Sequence, residues 1–237
     1  MSSTLAPAAA VPVTPLPVIA VVATTAEVLA RPDLSEDLLA PWELGRLARI
    51  RLPRRRDDVL AARLLLRLCV AHLTGNPPGQ VQPAQHCAQC GGAEHGRPYL
   101  PGLPHIGVSL SHADGVVAAA AGPGPLGIDV EPRIRRPAPL PVVRRLFPHE
   151  DPHDGAAVLR AWVRREALFK AGGPDFNAGG SDLKAQGSDS PHLVEWTDHR
   201  RGAVAALASA RPATVTQWSA VSGSGAGPEE TTRGHGC

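Results

Sequence analysis

Gly127-Ile128-Asp129-Val130-Glu131-Pro132-Arg133 is the stretch on which the fold of this chain turns. It follows the loop signal Gly122-Pro123-Gly124-Pro125, and its alternation predicts a short strand. Side chains on a strand point alternately to its two faces, so Asp129 and Glu131 share one face and Ile128 and Val130 the other. Two like charges so close repel each other. A fold keeps such a pair if it is solvated, shares a proton or holds a cation.

Upstream, Val18–Val22 predicts a buried strand. His105–His112 and Val116–Gly122 predict the two arms of a hairpin around Ala113-Asp114-Gly115. Between them, residues 31–73 take a helical pattern interrupted at Pro41 and stopped by Gly75, and residues 76–104 predict a loop. Downstream, residues 132–155 are Pro/Arg-rich and irregular. A helix from about Ala156 ends before Gly172, and residues 172–192 are expected to be mobile. Leu193–Asp198, Ala203–Ala210 and Ala213–Trp218 predict three more strands, and the chain beyond Ser219 predicts a disordered tail. Helices and strands mixed without strict alternation give an α+β fold.

Composition narrows the function classes. The 237 residues are 43% hydrophobic but 3% aromatic, so the core must be aliphatic and alanine-rich. The formal net charge of +2 gives no strong global field, and no apolar run is long enough to span a membrane. The Pro/Ala-rich N-terminus lacks the basic region of a signal peptide, and Cys69, Cys87, Cys90 and Cys237 make no disulfide framework; a cytoplasmic protein with free thiols is expected. Of 24 basic residues two are lysines, Lys170 and Lys184. In such a chain a lysine at a motif position implies that a primary amine is wanted there.

One of them is so placed. Trp162, Glu166 and Lys170 fall at i, i+4 and i+8 on one face of the downstream helix, with Arg165 beside Glu166. Taken alone, Glu166 and Lys170 read as a solvated ion pair. Taken with Asp129 and Glu131, Glu166 is a third carboxylate, and three carboxylates with phosphate oxygens suit Mg²⁺.

Val108–His112 (VSLSH), Leu126–Pro132 (LGIDVEP) and Trp162–Ala171 (WVRREALFKA) resemble, in order and spacing, the motif set of the 4′-phosphopantetheinyl transferases of the Sfp type. His86–Pro98 (HCAQCGGAEHGRP) resembles a stretch of actinobacterial members, and Ala61–Arg67 resembles their arginine-bearing helix. The resemblance spans roughly residues 30–210. It implies two similar lobes of pseudo-two-fold symmetry, at 12–116 and 117–220 with a tail at 221–237, and a ligand site between the lobes. It also implies a monomeric enzyme that transfers the phosphopantetheinyl arm of coenzyme A to a serine of an apo acyl or peptidyl carrier protein, releasing adenosine 3′,5′-bisphosphate. Asp129, Glu131 and Glu166 match the family's Mg²⁺ ligands, and Lys170 matches the lysine that holds the phosphates. Arg97, Ser111 and His112 match nucleotide and phosphate contacts, Arg63 the arginine near the 3′-phosphate. Arg165 stands where the family carries lysine, and arginine keeps the charge but does not readily release a proton. Leu146–Asp151 approximates the family's acidic region, so Glu150, Asp151 and Glu166 compete as general base.

Other signals point elsewhere. Cys87-x₂-Cys90-x₄-His95 resembles the first three ligands of a zinc knuckle, but the fourth position is Leu100, and a Gly-rich loop with free thiols is the plainer expectation. Arg54-Arg55-Arg56 is offset by Asp57-Asp58 and reads as a solvated cluster. Two alternatives remain: the same fold binding coenzyme A with catalysis weakened or lost, and a nucleic-acid-binding module built on the arginine helix. The latter leaves the three carboxylates without a purpose, so no nucleic-acid partner is expected.

Overall fold

The computed structural model describes residues 16–87, 89–93, 95–134, 140–148, 151, 153–172 and 191–223. The expectations for Glu150, Lys184, residues 173–190 and the tail past residue 223 lie outside the described residues.

Strand β1 (Ile19–Thr24) runs into a one-turn helix α1 (Thr25–Leu29), whose first turn is closed by Thr24 and Glu27 capping each other. Pro41 opens helix α2 (Pro41–Ala48) and Pro53 opens the long helix α3 (Pro53–Thr74), both using the first-turn position where a missing N–H costs nothing. Gly75, at φ 73°, ends α3 in the left-handed conformation glycine favours. A small hairpin follows, β2 (Ala84–His86) with β3 (Arg97–Tyr99), and then a larger one, β4 (Ile106–Ala113) with β5 (Val116–Pro123). Asp114 and Gly115 turn that larger hairpin with positive φ of 40° and 90°. Strand β6 (Leu126–Pro132), helix α4 (Leu140–Leu146) and helix α5 (Gly155–Lys170) lead to strands β7 (His192–Asp198) and β8 (Ala203–Ser209) and a last turn of helix α6 (Trp218–Ser222).

Two antiparallel three-stranded sheets result, ordered β1-β5-β4 and β6-β8-β7. Alternation sorts their side chains into layers. On the first sheet Ile19, Val21, Val117, Ala119 and Val108 pack against α3, while Val18, Ala20, Val22, Ala118 and Ala120 face the other way. These last meet Leu126, Ile128, Val130, Ala203, Ala205 and Leu207 of the second sheet. The outer face of that sheet, Val204, Ala206 and Ala208, takes Val163 and Ala167 of α5. The order is therefore helix, sheet, sheet, helix, with an apolar cluster in each of the three interfaces. Helices and antiparallel strands in mixed order make this an α+β chain.

Three expectations are revised. Residues 76–104 carry the β2–β3 hairpin inside the predicted loop. Residues 140–146 of the irregular stretch are helical. Ala213–Trp218 forms no strand; the segment crosses β1 with one bond, Thr216 N–H to Ala20 O at 2.8 Å, and Trp218 then begins α6. Strand β5 pairs with β1 and β4 along its length, and the chain passes from the first sheet to the second at residues 124–125. Among the described residues no helix is long and apolar enough to cross a membrane.

Candidate functional site

Strand β6 pairs Asp129 with Ala206 and Glu131 with Val204, which sets both carboxylates on the face that α5 covers. They are 5% and 7% exposed. Gly127, on the same face, explains how the helix comes so near: a Cβ there would lie 2.2 Å from Ala167 O and 2.5 Å from Ala171 N. Any side chain would lift α5 off the strand.

That close approach brings Lys170 onto β6. Its Nζ donates to Asp129 Oδ1 at 2.7 Å and to Ile128 O at 3.1 Å. Ser111 Oγ donates to the same Asp129 Oδ1 at 2.7 Å, and Ser109 Oγ accepts from Ile128 N–H at 3.1 Å. These two serines of β4 stitch the edge of the first sheet to the edge of the second. Asp129 Oδ2 is buried and has no hydrogen-bond partner. A buried carboxylate oxygen left unserved carries a desolvation cost of about 1–3 kcal/mol or more, so this atom marks where a further positive group fits.

Glu166 lies in reach of that charge. Burial pushes its carboxyl up, Asp129 pushes it further, and Lys170 and Arg165 pull against both. Asp129, Glu131 and Glu166 are not, however, drawn together to ligand spacing: among the described residues the cluster of three such groups within 4.8 Å is Cys87, Cys90 and His95. The ion pair that helix spacing alone suggests for Glu166 and Lys170 is not the one formed; Lys170 pairs with Asp129.

His112 ends β4 on the α3 side. Burial lowers the proton affinity of its ring, and the cations Lys170, Arg55 and Arg46 lower it further against the opposing pull of Asp58. Arg97 sits on β3 with its guanidinium beside Gly172, two residues past Lys170; a Cβ on Gly172 would stand 3.3 Å from Nη2. Lys170, Ser111 and Asp129 meet where β4, β6 and the C-terminal end of α5 come together, with Arg97 beside Gly172 at that end and His112 on the opposite face of β4.

Three expected residues sit differently. Arg63 is buried at 5% exposure, donates from Nη1 to Glu43 Oε1 at 2.5 Å, and stacks over the Trp42 ring at 4.8 Å. Burial lowers its proton affinity and Glu43 restores part of it. Its guanidinium is thus engaged by Glu43 and Trp42 within the fold. Arg165 Nη1 donates to Leu146 O at 2.9 Å with its guanidinium over Phe147, binding α5 to the end of α4. Asp151 is exposed and accepts from His153 N–H at 2.9 Å in the turn before α5.

Arg46, which sequence reasoning did not single out, and Arg55 and Asp58, which it read as part of a solvated cluster, bear on His112 from α2 and α3. Asp58 is buried, not solvated. Asp58 also accepts from Thr25 Oγ1 and from Gly115 N–H, fastening α3 to the hairpin turn.

Three carboxylates, one with a buried oxygen that nothing serves, are a donor set for a hard divalent cation, and the adjoining lysine and arginine suit an anionic ligand. On those grounds the residues fit Mg²⁺.

No protein-family model matches the chain. Among curated proteins it is similar to a 4′-phosphopantetheinyl transferase of Bacillus subtilis, 25% identical over 119 residues, covering 46% of this chain and 49% of that protein. The chain spans about half the length of the curated relative it matches.

Proposed function

We propose that this protein transfers the 4′-phosphopantetheinyl arm of coenzyme A to a serine of an apo acyl or peptidyl carrier protein. The observation that carries the proposal is the buried Asp129, held on one oxygen by Ser111 and Lys170 and unserved on the other. The motif resemblance and the similarity to the Bacillus subtilis transferase support it.

In this reading Asp129, Glu131 and Glu166 hold Mg²⁺, which when bound neutralises pyrophosphate charge. Ser111 orients Asp129 by donating to Oδ1. Lys170 contributes the second neutralising charge and stabilises the departing phosphate, while Arg97 and His112 bind the nucleotide. The carrier serine oxygen forms a bond to the phosphorus nearest pantetheine as that phosphorus parts from adenosine 3′,5′-bisphosphate, and a carboxylate takes the serine proton. Such a transfer makes positioning and charge neutralisation the main work of the protein.

Incubation with coenzyme A, Mg²⁺ and an apo carrier protein is expected to add one phosphopantetheinyl mass to the carrier. Absence of that mass on several unrelated carriers would reject transfer. Binding of coenzyme A by the same sample, with no mass added, would leave a coenzyme A-binding protein whose catalysis is lost, and recovery of transfer in Arg165→Lys would trace the loss to that position.

A further inference from the structure

We propose that the loop of the β2–β3 hairpin binds a zinc ion through the thiolates of Cys87 and Cys90 and the ring of His95, with water in the fourth position. This site lies outside the carboxylate cluster and does not depend on the transferase reading.

The ligand atoms of these three residues lie within 4.8 Å of one another, and Cys90 Sγ is 3.2 Å from His95 Nε2. Zinc bonds to sulfur at about 2.3 Å and to imidazole nitrogen at about 2.0–2.1 Å, so tetrahedral ligands stand roughly 3.5–4 Å apart. The observed cluster needs only small side-chain rotations to accept the ion. Both thiols are free. Two thiolates and an imidazole favour zinc over the hard cations that carboxylates select.

The backbone around the cluster is built to hold it. Gly91 N–H donates to Cys87 O at 2.8 Å and Cys87 N–H to Gly92 O at 2.9 Å, closing a tight turn through the Cys-x₂-Cys segment. Gly92 N–H points at Cys90 Sγ from 3.4 Å. Gly91 has φ 70° and Gly96 φ 98°, and a Cβ on Gly96 would lie 2.2 Å from His86 O. Glycine is thus required where the two ends of the loop pass each other. By contrast the loop offers no apolar side chain of any size, and strands β2 and β3 are three residues each. A hairpin this short is marginal by itself, and a bound ion supplies the missing cross-link.

Leu100, which occupies the sequence position of a knuckle's fourth ligand, is buried at 4% exposure in the α3 core. Leucine carries no donor atom, so among the described residues three protein ligands leave one place for water. The ion would also fix the strand on which Arg97 sits, because His86 and Arg97 pair at the base of the loop.

The full chain, reduced and then dialysed against zinc chloride, is expected to retain one equivalent by elemental analysis. Cobalt in place of zinc should give a thiolate-to-cobalt charge-transfer band and tetrahedral ligand-field bands. Cys87→Ser, Cys90→Ser and His95→Ala should each weaken zinc binding about 100-fold or more, beyond the loss that changing an outer partner causes. His86→Ala should leave it unchanged. Zinc loading should slow amide exchange in Ala84–Tyr99 while leaving the exchange of β5 as it was. Failure to retain metal, ready formation of a Cys87–Cys90 disulfide in zinc-loaded protein, or equal loss in His86→Ala would overturn the site.

Discussion

Two buried ionic clusters, one on each sheet's helix side, show opposite solutions to the same problem. Beneath α3, Glu43 is 1% exposed and meets two arginines: Arg63 Nη1 at Oε1 and Arg67 Nη2 at Oε2, with Ala40 N–H adding a third donor at 2.9 Å. Burial pushes the Glu43 carboxyl up, but Arg67, the Ala40 N–H and Arg63 together hold it below the ordinary carboxylate value. Both carboxylate oxygens are served. Beside α5, Lys170 pairs with Asp129, whose Oδ2 has no donor, and Glu166 is pushed up. In the first cluster the carboxylate is fully served and only Arg63 Nε and Arg67 Nε lack acceptors; in the second a buried carboxylate oxygen lacks a donor. A closed cluster holds structure, and an open one is where a ligand's chemistry enters.

The strongest way to break this contrast is Glu43→Ala. Removing one partner of a buried charge network typically costs about 3–5 kcal/mol, here leaving Arg63 and Arg67 buried without a counter-ion. Urea unfolding should show a midpoint far below the parent's; a midpoint close to it would mean the triad contributes little to the fold. Next comes Lys170→Ala. Transfer to an apo carrier protein should fall roughly 10²–10³-fold, the scale seen when one preorganised charge-stabilising donor is lost, while far-UV circular dichroism stays native. A loss of fold in place of transfer would make Lys170 a second Glu43-type structural ion. The smallest effect is expected from Glu166→Gln in chelator-treated protein. The fold raises the Glu166 proton affinity above its ordinary value of 4.5, so the native chain keeps this proton where the unfolded chain has lost it. Its stabilising contribution is complete below the unfolded pKa and disappears as pH rises through the folded one. Ionised Glu166 is therefore a net cost at neutral pH. The glutamine variant should melt slightly higher there and match the parent near pH 4.5, in thermal scans across that range. A lower melting temperature at neutral pH would place a stabilising contact on Glu166.

Strong local signals were legible in the sequence. Pro41, Pro53 and Gly75 bracket α2 and α3, Asp114-Gly115 turns the β4–β5 hairpin, and period two puts Asp129 and Glu131 on one face of β6. The β2–β3 hairpin was not, because its strands are three residues long and are held by a turn and by Gly96, not by apolar alternation. Ala213–Trp218 alternates like a strand, yet makes one bond to β1 and begins a helix at Trp218. Within the site, Lys170 and Ser111 carried a motif, so their meeting with Asp129 could be anticipated. Arg63 also carried one and went elsewhere, since nothing local announces that Glu43, 20 residues earlier, claims it. Arg46 and Arg55 reach His112 through tertiary packing, which a single sequence does not display.

Five of the twelve buried residues in the seam between the sheets are alanine: Ala20, Ala118, Ala120, Ala203 and Ala205. Methyl groups offer almost no slack, having no rotamers through which to yield. A larger residue at Ala118, the β5 partner of Ser111, would act as a wedge between the slabs and lever β4 away from β6. Evolutionary drift in this seam is thereby coupled to the alignment of the acids on the far side of β6, so seam positions should accept fewer replacements than their distance from the chemistry suggests.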